Sequence, residues 1–528
     1  MDARQAHPAA FFAQAGDGVV VLTAFPPTTP GGARLPAEAL RALEVVGTLA
    51  VVAAALAPVW SSPVLPTADG PSHVYNAFVA NALDDEPALA AVYELGPLLR
   101  PQLLSDTFLR LSGPVLGWDV AERLLFSLIV LGGLTALAGL SRTRDPTALA
   151  LLVWIPNGWF AWMGFYDFAL SLLFLALLVR SIERGDRHAP HLWMAALVAT
   201  HLFTAAVGCL LLGARWLVER AGRARLAGFL AWSGATAALL VAVTPGGVAP
   251  EVPAPNSVAH LLTSDAVVGH DPTAMLVGAV LFGVATVGVL DRCARVRGGV
   301  GWTALTGWIG VLFLVGSLGV PEWIGRGGYV PTRMRVVALV LLVPTGLDAL
   351  RRRGLPSRAF AAAGGLVAWL VLLHQAGHVE GYAAALERAV READAAVTTL
   401  GAGPGGLALR VEDPFRQDGF RRVFAYERIP ERLALARRWP VLDNYEASEP
   451  VFRVRWRGER APLRLDPTDS ALRVEGTWTG PLYLVHDPLV EVRTDHVVAA
   501  SADAPPFAVT VLRGLPAGPV AGSIPPRS

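Results

Sequence analysis

The sequence predicts a mostly α-helical, polytopic membrane protein with a small extracytoplasmic α/β domain at its C-terminus. Of its 528 residues, 53% are hydrophobic and 16% are charged, whereas soluble domains carry about 25% charged residues. Apolar segments close to the roughly 20 residues that span a bilayer recur between residues 41 and 375. After residue 375, charged residues and short runs bounded by Pro and Gly replace them. Lipid is therefore the expected solvent for most of the chain.

Residues 1–40 are expected to form a mobile cytoplasmic tail. The apolar run Val19–Phe25 is too short to span a bilayer, and a Pro- and Gly-rich stretch follows it. The first long apolar segment would then act as an uncleaved anchor. The net charge of +1 argues against a nucleic-acid partner, which would require a basic face.

Eleven helices are predicted between residues 41 and 375. Nine candidate spans lie at 41–60, 118–140, 146–162, 164–181, 226–244, 273–290, 301–319, 335–350 and 357–375. The stretch 190–218 is long for one span, and we interpret it as two short helices that meet near Thr200 and His201. Five Arg-rich connections then fall on one side of the membrane, as cytoplasmic loops require. They lie at residues 142–144, 180–187, 215–225, 292–297 and 351–358.

This alternation places the N-terminus in the cytoplasm of a bacterial inner membrane and residues 376–528 in the periplasm. The external domain opens with a helical stretch, continues with β-like runs such as Leu407–Glu412 and Pro481–His486, and has an end expected to be disordered. The long loops 61–117, 245–272 and 319–334 also become external, and they are rich in ionisable residues. The second of them holds mixed His and Asp residues that suit either a divalent metal or a solvated loop: His260, Asp265, His270 and Asp271.

The first external loop contains the most informative segment, "DGPSHVYNA" from Asp69 to Ala77. Pro71 suits the first turn of a helix, and apolar residues at helical spacing then predict an amphipathic helix along the membrane interface. Asp69 either caps this helix or takes part in chemistry. His73 lies one turn later on the same face, as a catalytic partner or as a solvated residue of the interface.

Three arginines in the third external loop lie on the side of the membrane where positive charge is normally depleted. Arg326, Arg333 and Arg335 either anchor the chain to lipid phosphates or bind a phosphate of the substrate. Asp167 and His201 are ionisable groups within apolar stretches, which is costly and often functional. Together with Tyr75 they are the expected lining of a cavity, although a neutral, packed His201 is an equal alternative.

An acidic residue directly after the first span, followed by a helix, resembles the GT-C superfamily of membrane glycosyltransferases. The number of spans and the external C-terminal domain are also similar to that superfamily. The resemblance implies an inverting transfer of a sugar from a polyprenyl-phosphate donor to an unidentified periplasmic acceptor. It implies Asp69 as the general base or as an acid that positions a divalent metal, although no second acid adjoins Asp69 here. His73 would be a second catalytic residue, and the three arginines would bind the donor phosphate.

Two other functions fit the same topology. A transporter or flippase of a lipid-linked substrate would show repeated halves and broken helices near the midplane, and the sequence shows no repeat. A non-catalytic protein of envelope assembly would use the external domain as its working part. In that domain the polar run Asp443–Glu446 either helps to bind the acceptor or forms a turn between strands. Polar residues that concentrate on one face favour the enzyme.

Overall fold

The computed structural model describes most of the chain after residue 35. The described residues are 36–98, 100–219, 223–243, 258–264, 272–295, 302–322, 328–401, 403, 405–410, 423–458, 463–467, 471–476, 478, 480–488, 491–494, 497–513 and 522–524. The predicted mobile tail, residues 1–40, therefore lies almost entirely outside them. The chain divides into two compact units, Met1–Leu43 and Glu44–Ser528. The first unit contributes only the start of helix α1 to the description.

Helices make up most of the described residues, so the predicted fold class is confirmed. They are α1 (Ala37–Ser61), α2 (Gly70–Ala82), α3 (Pro87–Val92), α4 (Leu103–Leu116), α5 (Trp118–Ser141), α6 (Pro146–Leu152), α7 (Trp159–Trp162), α8 (Tyr166–Glu183), α9 (Ala189–Thr200), α10 (Leu202–Glu219), α11 (Arg223–Val243), α12 (Val258–Leu262), α13 (Pro272–Arg295), α14 (Trp302–Gly316), α15 (Val330–Arg352), α16 (Leu355–Thr399) and α17 (Ile429–Arg437).

Six helical segments in the described part of the chain are long and apolar enough to cross a membrane. They are Arg41–Ser61, Trp118–Ser141, Leu202–Glu219, Arg223–Ala242, Thr273–Asp291 and Ala359–Thr399. Two shorter apolar helices, Ala189–Thr200 and Leu305–Gly316, accompany them. The chain is thus a polytopic membrane protein, and the count of eleven spans stays a prediction.

Helices α9 and α10 form the pair that the distribution of arginines predicts. His201 adopts an extended backbone between them, with φ −155°. Gly208 of α10 packs so closely on α9 that an added Cβ would lie 2.5 Å from the sulfur of Met194 and 3.1 Å from Leu197. Met194 and Gly208, each seven positions from His201, are therefore in contact. This contact requires the chain to reverse direction at His201.

The predicted span 146–162 is wrong as a single helix. The structure has the short helices α6 and α7, joined by the turn 153–158. Pro156 lies in this turn, where its missing N–H and fixed φ oppose a continuous helix. Gly158 then precedes α7. The break brings the α7–α8 turn against the first external loop.

Helix α16 is continuous over 45 residues, a length of about 68 Å at 1.5 Å per residue. It joins the last predicted span to the predicted helical stretch of the C-terminal domain, so the proposed domain boundary at 375/376 falls inside one helix. The C-terminal part of α16 packs against the domain that follows it. The Tyr382 hydroxyl donates to Val423 O at 3.0 Å, and Arg437 of α17 binds the Asp394 carboxylate at 2.6 Å.

The C-terminal domain holds two mixed four-stranded sheets, which confirms the predicted α/β character. The first has the order β2-β6-β9-β8 and the second β10-β7-β5-β4. The strands of the first sheet are β2 (Gly406–Arg410), β6 (Leu482–His486), β8 (Val497–Ala504) and β9 (Phe507–Arg513). Those of the second are β4 (Leu463–Pro467), β5 (Ala471–Gly476), β7 (Glu491–Thr494) and β10 (Gly522–Ile524).

A third, two-stranded sheet joins the first external loop to the C-terminal domain. Strand β1 (Tyr93–Leu95) pairs in antiparallel register with β3 (Val454–Trp456). The rings of Tyr93 and Trp456 stack with centroids 5.2 Å apart. Backbone pairing and ring stacking together fix the loop against the domain.

Candidate functional site

Helix α2 begins where the sequence predicts, but it is almost entirely buried in protein. Eleven of its 13 residues are buried, because α4 and α5 pack on one side and α17 on the other. The polar side chains of His73 and Asn76 face Glu446 of the C-terminal domain. A helix with polar groups can be buried when protein partners replace water. The amphipathic pattern therefore reflects a contact between domains.

Asp69 occupies the N-cap position of α2, yet its side chain forms no capping hydrogen bond. Its Oδ1 accepts a hydrogen bond from Nη2 of Arg428 at 3.0 Å. The backbone N–H of Asp69 donates to Met163 O at 2.9 Å. Gly164 (φ +79°) approaches so closely that a Cβ there would lie 2.3 Å from the nitrogen of Gly70. The backbone at Asp69 is thus held by the α7–α8 turn, and its carboxylate is directed to the C-terminal domain.

Arg428 comes from the 3-10 helix Ala425–Arg428, directly before α17. Besides Asp69, it contacts Oε1 of Glu431 at 3.5 Å and lies over the ring of Tyr445 at 4.5 Å. Burial lowers the pKa of Arg428, but the carboxylates of Asp69 and Glu431 outweigh it and hold the pKa above its usual value. The guanidinium therefore remains charged inside the site.

His73 and Glu446 form the second charged pair of the site. His73 Nδ1 lies 3.3 Å from Oε1 of Glu446, whose side chain is fully buried. Burial raises the pKa of Glu446 to about 7, against the opposing effect of His73. Burial lowers the pKa of His73, but Glu446, Asp167 and Asp69 outweigh it and raise the pKa above its usual value. The pKa of each group thus lies above its ordinary value.

Amide side chains hold Glu446 in place. Asn76 Nδ2 donates to Glu446 Oε2, and Asn444 Nδ2 donates to Asn76 Oδ1 at 2.8 Å. The hydroxyl of Tyr445 donates to Glu446 Oε1 at 3.3 Å. The polar run Asp443–Glu446 is therefore more than a turn, since its side chains complete a network with α2. Below, "junction cluster" denotes Asp69, His73, Arg428 and Glu446.

Tyr75 of α2 contacts the C-terminal domain. It is fully buried. Its hydroxyl donates to Trp439 O at 2.8 Å and accepts from the N–H of Val441 at 3.0 Å. Tyr75 thus fixes α2 to residues 439–441.

Glu122 of α5 is a buried carboxylate that the sequence interpretation did not single out. Its Oε1 accepts from the hydroxyls of Thr67 at 2.8 Å and Tyr166 at 2.6 Å. It lies directly beneath the start of α2, since a Cβ on Gly70 would be 2.0 Å from this oxygen. The sequence feature that could have revealed it is a Glu only four residues after the start of an apolar span.

Asp167 lies near the junction cluster. One of its carboxylate oxygens accepts from Ser105 Oγ at 2.6 Å. The other, Oδ1, is buried and has no hydrogen-bond partner within the described residues. Its charge helps to raise the pKa of His73, which places Asp167 on the same side of α8 as the site.

Unlike the charged residues of the junction cluster, Arg333 lies among aromatic rings. Its guanidinium carbon lies 5.4–5.9 Å from the ring centroids of Phe160, Phe165 and Phe168. Its Nε is buried without a hydrogen-bond partner in the described part of the chain. The ring of His201 lies 5.2 Å from Phe168, and its Nδ1 is likewise buried and unpartnered there. We call these five residues the aromatic cluster.

A narrow apolar crevice borders the aromatic cluster. Its lining includes Ile155, Trp159, Phe160, Leu172 and Val336. Phe160 belongs to both.

The other two arginines of the third loop behave differently. Arg335 is buried, and its Nε donates to Ser317 Oγ at 3.2 Å. It therefore packs between α15 and the end of α14. Arg326 lies outside the described residues, as do Asp265, His270 and Asp271.

The two clusters are neighbours across the α7–α8 turn. Tyr329, four residues before Arg333, packs on Phe165 and Trp159 with centroid separations of 5.7 and 5.1 Å. Burial raises the pKa of Tyr329, and the charge of Asp69 adds to the effect. Only the turn containing Gly164 and Phe165 separates Asp69 from the rings around Arg333.

Comparison with known proteins finds similarity to a solved structure. No family model matches the chain, and no curated protein matches it either. The crystal structure of ArnT from Cupriavidus metallidurans in the apo state is similar, with 13% sequence identity and a TM-score of 0.47. The similarity covers 90% of this chain and 98% of that chain.

The residues around Asp69 do not fit a divalent metal. A guanidinium, itself a cation, is bound to Oδ1 of Asp69. In the part of the chain that the structure describes, no three His, Cys, Asp or Glu side chains converge as a metal site. Divalent cations in proteins require several such ligands. The chemistry of the site is therefore derived from side chains alone.

Proposed function

We propose that this chain is a membrane glycosyltransferase of the GT-C type, which moves a sugar from a polyprenyl-phosphate donor to an extracytoplasmic acceptor with inversion. One observation carries the proposal. The junction cluster, with a carboxylate and an imidazole that retain some exposure, lies next to the partly buried Arg333, whose Nε has no hydrogen-bond partner among the described residues. Proton transfer and phosphate binding are the two requirements of this reaction.

The acceptor is proposed to bind at the junction cluster. Its nucleophilic group must lose a proton as it attacks the sugar, so a base must lie within hydrogen-bond reach. Asp69 and His73 are suited to this, with side-chain exposures of 14% and 12%. The resemblance to the superfamily favours Asp69 as the base. Arg428 and Glu446, supplied by the C-terminal domain, hold these two side chains in place.

The donor phosphate is proposed to bind Arg333. A guanidinium can bind two phosphate oxygens at once, and it stabilises the charge that the leaving phosphate acquires. Arg335 is less suited, because its Nε already binds Ser317. The sugar would then lie between Arg333 and Asp69.

The proposed orientation has a cytoplasmic N-terminus and a periplasmic C-terminal domain in a bacterial inner membrane. Reporter fusions after residues 225, 298 and 380 test it. The first two should report the cytoplasm and the third the periplasm. A cytoplasmic signal at 380 would overturn both the orientation and the eleven-span count.

Consumption of the donor tests the function. Purified full-length protein in proteoliposomes would be given polyprenyl-phosphate sugars labelled on the sugar, with extracted envelope lipids as acceptors. We expect release of free polyprenyl phosphate together with label in a new product. Boiled protein and empty liposomes serve as controls. If a broad panel of such donors remains intact at every pH between 6 and 8, the proposal is wrong.

A further inference from the structure

The contacts of His73 differ at its two ring nitrogens. Nδ1 lies 3.3 Å from the buried carboxylate of Glu446. Among the described residues Nε2 has no hydrogen-bond partner, and the side chain keeps 12% of its surface exposed. A histidine with one nitrogen held by a carboxylate and the other free is the arrangement of an oriented general base.

We propose that Glu446 is a positioning residue that holds His73 with Nδ1–H towards its carboxylate, so that Nε2 takes the proton of the acceptor. This inference rests on the proposed function and assigns the proton to His73 in preference to Asp69. Glu446 comes from the 3-10 helix Tyr445–Ser448 of the C-terminal domain. The catalytic site is therefore incomplete without that domain.

Glu446 is fixed well enough to orient a neighbour. Asn76 binds one of its oxygens, and Tyr445 and His73 contact the other. It is fully buried, so it reaches a substrate only through His73. The pKa of Glu446 is about 7, and its charge helps to raise the pKa of His73 above the usual value, which makes the imidazole a stronger base.

Asp69 is then left to orient the acceptor. Its Oδ1 is already bound by Arg428, and its second oxygen can accept a hydrogen bond from the nucleophile. In the transfer step, a lone pair of the acceptor atom forms a bond to C1 of the sugar. The bond from C1 to the phosphate oxygen breaks, and its electron pair leaves with polyprenyl phosphate. The acceptor's proton moves to Nε2 of His73, and the carboxylate of Glu446 balances the resulting charge.

Chemical modification tests the pairing without any substrate. Diethyl pyrocarbonate reacts with neutral, accessible imidazole, so the pH dependence of its reaction at His73, read by mass spectrometry on the full chain, follows the protonation of this residue. The charged groups that face His73 are Glu446, Asp69, Asp167 and Glu122, and Arg428 lies beyond Asp69. Glu446→Gln removes only the first of them.

We expect the modification midpoint of His73 to move about one pH unit or more towards lower pH in Glu446→Gln, because a nearby carboxylate favours the charged imidazole. Glu86→Gln is the matched control, since Glu86 joins the same loop to Arg438 of the same domain at 2.6 Å. Its midpoint should equal that of the wild type. An unreactive His73, or an unchanged midpoint in Glu446→Gln, would overturn the inference.

The donor-consumption assay gives the second readout. Glu446→Gln should lower kcat about 100-fold, in the range of general base catalysis, leave KM for the donor unchanged, and move the acid limb of the pH profile to lower pH. Glu446→Asp should recover part of the rate. Equal losses in Glu446→Gln and Glu86→Gln, with no change in either pH profile, would assign Glu446 a structural role. If no variant consumes donor, the proposed function fails, while the modification experiment still decides the pairing.

Discussion

The junction cluster and the aromatic cluster differ in whether their charged side chains form ion pairs within the protein. In the first, Arg428 lies between the carboxylates of Asp69 and Glu431, and His73 contacts Glu446. In the second, Arg333 is surrounded by three phenylalanine rings and has no ion-pair partner within the described residues. One cluster satisfies its charges with protein and the other does not.

This difference suggests that the junction cluster serves the docking of the C-terminal domain, and that the aromatic cluster serves the binding of a ligand. A buried charge is costly unless it is paired, so the ion pairs of the junction cluster favour docking of the C-terminal domain onto the first external loop. Aromatic faces attract a guanidinium but do not neutralise it. An anion that entered beside Arg333 would therefore gain a strong interaction without displacing an internal partner. Folding forms the first cluster, and a phosphate ligand would complete the second.

The largest expected effect comes from removing the shared cation of the junction cluster. Arg428→Gln leaves the carboxylates of Asp69 and Glu431 without their partner and should lower the free energy of unfolding by about 3 kcal/mol. Asp69→Asn should cost less, because Arg428 keeps Glu431. Unfolding in mixed detergent micelles measures both variants and their combination. The double variant should lose less than the sum of the single losses, and strictly additive losses would show that the pair is not coupled.

A substitution of Arg333 in the aromatic cluster should change the affinity for the donor phosphate and leave the stability of the protein unchanged. Arg333→Gln is expected to weaken binding of undecaprenyl phosphate by about 1–3 kcal/mol, the range for a charge-assisted hydrogen bond, with little change in the unfolding midpoint. The matched variant Arg335→Gln should lower the unfolding midpoint and leave the affinity for undecaprenyl phosphate unchanged, since Arg335 is buried and bound to Ser317. Native mass spectrometry in detergent measures the affinity. Equal affinities of Arg333→Gln and the wild type would remove Arg333 from the donor site.

A smaller effect is expected from pH. The pKa of Glu446 in the folded protein, about 7, and that of His73 both lie above their ordinary values. The folded state therefore binds more protons than the unfolded state, and the stability gained at lower pH is lost as the pH rises through about 7. The slope is at most about 1.4 kcal/mol per pH unit for each proton. Thermal midpoints should fall from pH 6 to pH 8, and less so in Glu446→Gln; a rising midpoint in the wild type would contradict the assignment.

Local signals in the sequence predicted several of these elements. Pro71 marked the start of α2, and the distribution of arginines required the chain to reverse near His201. The break between α6 and α7 could also have been predicted, because Pro156 and Gly158 stand in the middle of the supposed span. In each case the determining residues lie within a few positions of the feature, or follow from counting charge on the two sides of the membrane.

The partners in the junction cluster could not be predicted in this way. Asp69 and Arg428 are 359 positions apart, and Arg428 is one of many arginines in a chain without lysine. The burial of α2 was missed because an amphipathic pattern is the same whether its polar face meets water or another domain. Only the run Asp443–Glu446, a compact group of polar side chains, hinted at the contribution of the C-terminal domain.

The most direct test of the central claim compares two aspartates that each bind an arginine of the C-terminal domain. Asp69 binds Arg428 within the junction cluster, and Asp394 binds Arg437 on the exposed side of α16. Transfer from a polyprenyl-phosphate sugar would be measured in proteoliposomes, well below the unfolding midpoint of each variant. Because Asp69 orients the acceptor beside His73, Asp69→Asn should lose roughly 100-fold or more of the rate, while Asp394→Asn keeps the rate of the wild type. Near wild-type transfer by folded Asp69→Asn protein would contradict the assignment of this cluster as the catalytic site.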